Sequence, residues 1–341
     1  MVDRPVEPPR VAVVGTGLIG GSILLRLREA YPDVVGWDPD PATRALGRDQ
    51  GVRFPDELAD AVRDRDVVVL AGPLSSLPAT LLTVARQTAD HCVITDVGST
   101  KGAVARFAVE HGLTGRFVPG HPMAGTERSG LTAAVPELFD GAAWVLCPAP
   151  EGIGPFRLLT GLLVTVFSAR VVPMAPTVHD SVVALSSHVP HLLAGSLAAA
   201  AADVDVRDAV LGLAAGSFRD GTRVVGTPAE RIADMLFQNR DQVLRQLDQV
   251  RAVLDGLVDA MRRDDQDALV ERYRQAQGLR HALFARTLDE CRSEFPAGGD
   301  HATELAYLLE LGSAGGYLTG CEIGADVVTY LGRRPPATAV G

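Results

Sequence analysis

Residues 11–22 read VAVVGTGLIGGS, a short apolar run that meets Gly15-Thr16-Gly17-Leu18-Ile19-Gly20 and passes at once into a helical pattern. An unbroken apolar run of this length suits a strand buried on both faces, and the glycines mark a tight turn into the helix. In that setting GxGxxG is a dinucleotide fingerprint. Gly15 permits the turn, Gly17 lets a pyrophosphate approach the backbone, and Gly20 lets helix and strand pack closely. The helix start, with Leu18 and Ile19, offers free N–H groups and a positive dipole. Asp38 follows the next apolar run, Val34–Trp37, where a carboxylate can accept hydrogen bonds from the adenosine ribose. The same carboxylate repels a 2'-phosphate, and Pro39, Asp40 and Pro41 bring no arginine, so NAD is expected over NADP. Arg44 is the one nearby cation that could reverse this preference.

Working outward, further apolar runs at 66–72, 92–96, 117–119, 144–147 and 171–173 alternate with helical stretches. They predict an α/β fold, a Rossmann-type doubly wound sheet occupying residues 1–175. From Thr177 the texture becomes rich in Ala, Leu, Arg, Asp and Gln at helical spacing. An all-helical second domain is therefore expected over 176–295, with helices near 177–202, 205–217, 227–260 and 264–291. The Pro/Gly-rich stretch at 292–301 reads as a turn or linker. Residues 296–341 form a C-terminal extension whose periodicity fits helix and hairpin equally.

The chain has 341 residues, 47% of them hydrophobic, more than one core usually serves, so two domains follow. A formal net charge of -10 argues against a nucleic-acid partner, which needs clustered cations that are not outnumbered. Cys92, Cys147, Cys291 and Cys321 are scattered without CxxC spacing, as isolated structural thiols would be. No apolar leader opens the chain and no window reaches the ~18 uninterrupted apolar residues of a membrane span, so a soluble, cytoplasmic protein without a membrane partner is expected.

Four segments carry more polar groups than a nucleotide-binding sheet needs: Asp96–Gly102 (DVGSTKG), Gly120–Glu127 (GHPMAGTE), Ser186–His191 (SSHVPH) and Phe218–Arg223 (FRDGTR). Taken one at a time, each has an ordinary structural reading. His121 precedes a proline and could end a strand, and Arg219 and Arg223 at i,i+4 could pair with Asp220. His188 and His191, at i,i+3, have a spacing compatible with metal, yet no acidic or third His ligand lies near them in sequence, so no metal is expected. Pro190 should bend the helix and free a backbone carbonyl beside these histidines.

Together, DxGSxK, GHPxAGTE, SHxPH and FRDxTR behind GxGLIGGS resemble the motifs of the prephenate dehydrogenase family, over roughly residues 11–290. The resemblance implies a Rossmann domain, then a helical domain that forms a homodimer, with the active site in the cleft between them. It makes His121 the base that takes the proton of the ring hydroxyl, with Ser99 hydrogen-bonded to the same oxygen. A neutral imidazole titrates in the right range for that task. It makes Arg223 the partner of a substrate carboxylate, tuned by Asp220. His188, His191 and Ser187 would line the same cleft, His191 making the direct contact, and Glu127 would stand at its entrance.

Two departures stand out. After FRDGTR the chain reads VVGTPAERIADMLFQN, where the family pattern places an aromatic residue near Arg231, and the last forty residues do not resemble the regulatory ACT domain that some members append. Arogenate and 4-amino-4-deoxyprephenate are alternative substrates, which an acidic residue such as Glu127 would favour. A β-hydroxyacid dehydrogenase would want a lysine in the helical half, and residues 177–291 contain none. A non-catalytic NAD-sensing protein would have no use for His121, Ser99 and Arg223 together.

Overall fold

The computed structural model describes residues 8–126 and 128–336. Strands β1 (Val11–Val14), β2 (Val34–Trp37), β3 (Val67–Leu70), β4 (Val93–Asp96) and β5 (Phe117–Val118) form a parallel sheet in the order β2-β1-β3-β4-β5. β1, β3 and β4 are buried along their whole length, which is why they read as unbroken apolar runs rather than alternating ones. The chain runs outward from β1 to β2 and then returns to β3, so the strand order reverses beside β1. A crevice for ligand opens at the carboxyl ends of the strands at such a point. The expected Rossmann-type sheet and helical second half are both present.

The expected extension of this sheet to residue 175 needs correction. β6 (Gly120–Pro122), β7 (Ala143–Leu146) and β8 (Arg170–Pro173) belong to a second sheet, completed by β9 (Asp289–Pro296), β10 (Tyr317–Ile323) and β11 (Val327–Arg334) in the order β6-β7-β8-β10-β11-β9. Pro119 separates β5 from β6. It has no N–H to give the first ladder, and its carbonyl accepts instead from Cys147 N–H of the second sheet (2.8 Å). One apolar core joins the two sheets, with Val11 and Val67 on one side, Trp144 and Leu318 on the other, and the helix Ile153–Phe167 contributing Phe156, Leu159 and Phe167.

The C-terminal region also corrects the sequence reading. The helix expected to reach 291 ends at Phe284, and most of the expected linker at 292–301 is strand. In β9 Cys291, Ser293 and Phe295 are half-buried while Arg292 and Glu294 face solvent, a period of two that the neighbouring proline and glycines concealed. β9 pairs with β11 from Asp289↔Arg334 to Pro296↔Val327, so the boundary expected at 295 falls inside a strand. The C-terminal extension is helix and hairpin both: Ala302–Ser313 is helical, and β10 and β11 form the hairpin. Arg157 and Glu304 hold it in place from inside the protein. Arg157 Nε and Nη2 donate to the two carboxylate oxygens (2.9 and 2.6 Å), and Tyr330 OH donates to Oε1 (2.6 Å).

In the helical half, Pro176–Ala202 is continuous, with a wider turn over Ala184–His188 that ends two residues before Pro190, the residue expected to bend the helix. The single helix expected over 227–260 is two, Ala229–Gln238 and Arg240–Arg262, divided at Asn239. Asn239 is buried and its amide is directed to the Asp180 carbonyl (2.8 Å) and His188 Nδ1 (3.1 Å), a tertiary demand that a helical pattern does not reveal.

Candidate active site

The glycine loop sits at the crevice as its sequence requires. Gly15 has φ +89°, and a Cβ there would lie 2.8 Å from the Ala71 carbonyl carbon. A Cβ on Gly20 would fall 1.9 Å from the Gly15 carbonyl oxygen, whereas one on Gly17 would meet nothing within 4 Å. Gly15 and Gly20 are thus glycines for packing, and Gly17 leaves its space to a ligand. Gly17 begins the helix Leu18–Ala30 with no side-chain cap and no acidic residue in the first turn, which leaves the N–H groups for an anion. Asp38 Oδ2 accepts from Thr16 N–H (2.7 Å), tying the end of β2 to the loop. Arg44 Nη1 donates to the Asp38 and Pro39 carbonyls (2.7 and 3.2 Å), which ties the side chain to the backbone at the end of β2. These residues fit an NAD molecule along Gly15, Gly17 and Asp38.

A cleft of roughly 700 Å³ runs from Gly17, Leu18 and Ile19 past Ser99 to His121, and Arg231 and Asp234 form its opposite wall. Behind it lies a buried ion pair. Lys101 and Asp96 are both 0% exposed and in contact, and Lys101 Nζ also donates to the Gly120 carbonyl (2.7 Å). Asp96 accepts in addition from Gly98 N–H (2.8 Å) and Gly120 N–H (3.1 Å). The pair therefore fixes the segments that carry Ser99 and His121, a role for the DxGSxK motif that spacing did not show.

His121 Nδ1 lies 2.9 Å from His179 Nε2, and His179 Nδ1 lies 2.8 Å from Asp180 Oδ1. Asp180 also accepts from Lys101 N–H (2.7 Å) and Gly102 N–H (2.8 Å) at the start of the helix Gly102–Glu110. Burial alone would raise the Asp180 carboxyl, but the hydrogen bonds from His179 and these N–H groups outweigh it and hold it below its ordinary value. Burial, then repulsion from His179, Lys101 and His188, lowers His121 far below the usual histidine range. His121 is accordingly a neutral base at physiological pH. Neither His179 nor Asp180 was singled out by the sequence. The adjacent HD pair at the opening of the second domain was the only signal for them.

The expected residues are not all gathered in one place. Ser99 and His121 meet in the cleft, both half-buried, beside the fingerprint glycines. His188, expected to line it, is 0% exposed and lies behind it, accepting from Asn239 at Nδ1; burial pushes it down to about 4. Its Nε2 is buried with no partner among the described residues. His191 Nδ1 donates to the Ser187 carbonyl (2.9 Å), and in the single chain neither of these residues is a wall of the cleft. Arg223 and Asp220 are exposed and also lie outside it. Glu127 lies outside the described residues. A cation that does line the cleft is Arg231, near which the family pattern places an aromatic residue.

A dinucleotide-binding sheet, a helical second half and a neutral histidine in the cleft between them define an NAD-dependent oxidoreductase. The family profile described as prephenate dehydrogenase, nucleotide-binding domain, matches residues 23–156, and the one described as prephenate dehydrogenase, dimerization domain, matches residues 175–275. The prephenate dehydrogenase of Bacillus subtilis is 31% identical over 284 residues, covering 81% of this chain and 76% of that one. The cyclohexadienyl dehydrogenase of Zymomonas mobilis is 30% identical over 279 residues, 80% of this chain and 95% of that one. The crystal structure of prephenate dehydrogenase from A. aeolicus in complex with hydroxyphenyl propionate and NAD+ superposes with a TM-score of 0.76 at 25% identity, covering 82% of this chain and all of that one. The chain belongs to the prephenate dehydrogenase family.

Proposed function

We propose that the chain oxidises and decarboxylates prephenate to 4-hydroxyphenylpyruvate on the route to tyrosine, in the cytoplasm, as a homodimer formed through its helical half. The observation that carries this reading is His121, whose Nδ1 is engaged with His179 and whose other nitrogen remains for the cleft that the glycine loop opens. NAD, when bound, supplies the hydride acceptor. The rest falls to the chain. His121 takes the proton of the ring hydroxyl, and Ser99 holds the same oxygen. Loss of the ring carboxylate as carbon dioxide then leaves an aromatic ring, which makes the reaction strongly downhill. We assign one substrate carboxylate to Arg231, a cation in the cleft. Arg223, supported by Asp220, is assigned to the other, with His191, Ser187 and Glu127 completing the site; because Arg223, Asp220, His191 and Ser187 lie outside the cleft of the single chain, this assignment requires the homodimer to bring them to the substrate. The homodimer is supported by the apolar side chains that the helical half leaves exposed, among them Leu213, Leu279, Leu283 and Phe284.

A second reading has an observation of its own. Glu230 and Asp234 stand on the same wall as Arg231, and a pair of carboxylates there suits the amine that arogenate or 4-amino-4-deoxyprephenate carries. Formation of NADH with each of the three ring substrates in turn separates the readings. Turnover with prephenate alone supports the first, and turnover confined to an amino substrate replaces it with the second.

A further inference from the structure

We propose that His179 is a positioning residue and the second station of a proton wire, His121–His179–Asp180, which sets the tautomer of the base and holds the substrate's proton until the product needs it. The inference rests on the oxidative decarboxylation proposed above and adds what becomes of the proton.

The tautomers follow from the hydrogen bonds. Asp180 receives two backbone N–H groups, at 2.7 and 2.8 Å, so it is an ionised acceptor. His179 Nδ1, 2.8 Å from that carboxylate, must therefore carry its hydrogen. Burial, its largest influence, keeps His179 singly protonated despite Asp180, so His179 Nε2 bears a lone pair. That lone pair can only accept from His121 Nδ1–H at 2.9 Å. His121 is thus left with a bare Nε2 for the cleft, the form that a base requires.

The same contacts say where the proton rests. A cation on His121 faces the Lys101 ammonium, His179 and buried His188, and every one of these disfavours it. A cation on His179 also feels Lys101, but it lies directly against the Asp180 carboxylate, with Asp96 as a further anion. Cys147, nearby, has its thiol pushed up by burial and stays neutral. Oxidation breaks the substrate O–H bond and forms Nε2–H on His121, while Nδ1–H of His121 breaks and Nε2–H of His179 forms. The two electrons leave with the hydride. When carbon dioxide departs, the electron pair of the broken C–C bond ends on the ring oxygen as phenolate. The reverse shift then returns the proton, His179 to His121 to oxygen, and no solvent proton is consumed.

The test combines a measurement on the free protein with one on turnover. Nitrogen-15 resonances of His121, assigned with His121→Asn, should show a protonated Nδ1 and a bare Nε2 in the intact protein. In His179→Gln the amide oxygen can still accept from His121 Nδ1–H, so the tautomer should survive. The wire is cut, however, and turnover should fall about tenfold to a hundredfold, a lesser loss than removal of the base itself. In mixtures of light and heavy water the wild type should give a bowed proton inventory, from two protons in flight, and His179→Gln a straight one. An Nε2–H tautomer in wild type overturns the proposal, as does His179→Gln with wild-type turnover and an unchanged inventory. If the wild type turns over none of the three ring substrates, the functional reading fails, and the resonances still decide the wire because it exists in the unliganded protein.

Discussion

Two of the buried charged clusters among the described residues differ in one respect. Around Glu304 every group is matched: Arg157 meets both carboxylate oxygens, Tyr330 OH caps one, and the Ala297 carbonyl accepts from Arg157 Nη1 (2.8 Å). Around Lys101 and Asp180 the matching runs as a chain through His179 to His121 and stops there, with one imidazole nitrogen left over at a cleft. A closed network stabilises a fold, while a network with one open valence facing a cavity has something to give a ligand. The contrast separates structure from function here better than burial or charge does, since both clusters are buried and charged.

Glu304→Ala leaves Arg157 buried without its partner and should cost about 3–5 kcal/mol in denaturant unfolding, with turnover per folded molecule unchanged. A loss below about 1 kcal/mol would mean that the closed cluster is incidental. His121→Asn should do the converse, lowering turnover by about 10²–10⁴ while NAD binding and melting temperature stay close to wild type. Arg231→Ala should raise the KM for the ring substrate about tenfold with kcat little changed, as expected of a carboxylate contact made equally in ground and transition state. An unaltered KM would move that contact elsewhere. Asp38→Asn should weaken NAD by a smaller factor and relax its advantage over NADP, measurable by fluorescence titration.

The pH dependence follows from the same cluster. His121 is lowered by burial first and then by its cationic and histidine neighbours, so kcat/KM should be flat through neutrality and fall only well below pH ~6.5, the ordinary histidine value. An acid limb at or above that pH would assign the base elsewhere. Stability runs the same way. The unfolded chain binds protons at His121, His179 and His188 near pH ~6.5 and the folded one resists them, so acidification favours unfolding.

What was legible in the sequence was whatever the backbone does locally. Gly15, Gly17 and Gly20 announce their geometry because each is required by atoms a few residues away or by a parallel strand of known spacing. Pro190 likewise marked the altered turn of its helix. What escaped depends on long-range partners. His179 becomes meaningful only against His121, 2.9 Å away in space, and Asn239 only against Asp180 and His188. The second sheet escaped because Pro119 diverts one strand into another ladder, and β9 because a proline and two glycines followed an alternating pattern.

One pairing bears on how the protein is made. β8 is covered on one side by β7, its near neighbour in sequence, and on the other by β10 through Val171↔Leu318. A ribosome that has released the whole nucleotide-binding half has therefore released a sheet with a bare edge, and the covering strand emerges only after every helix of the second half. Contacts of such sequence separation form slowly, and an uncovered edge invites association with other chains in the interval. The order of synthesis thus leaves an interval in this protein's birth when its nucleotide-binding sheet is complete and its second sheet is still waiting for a partner.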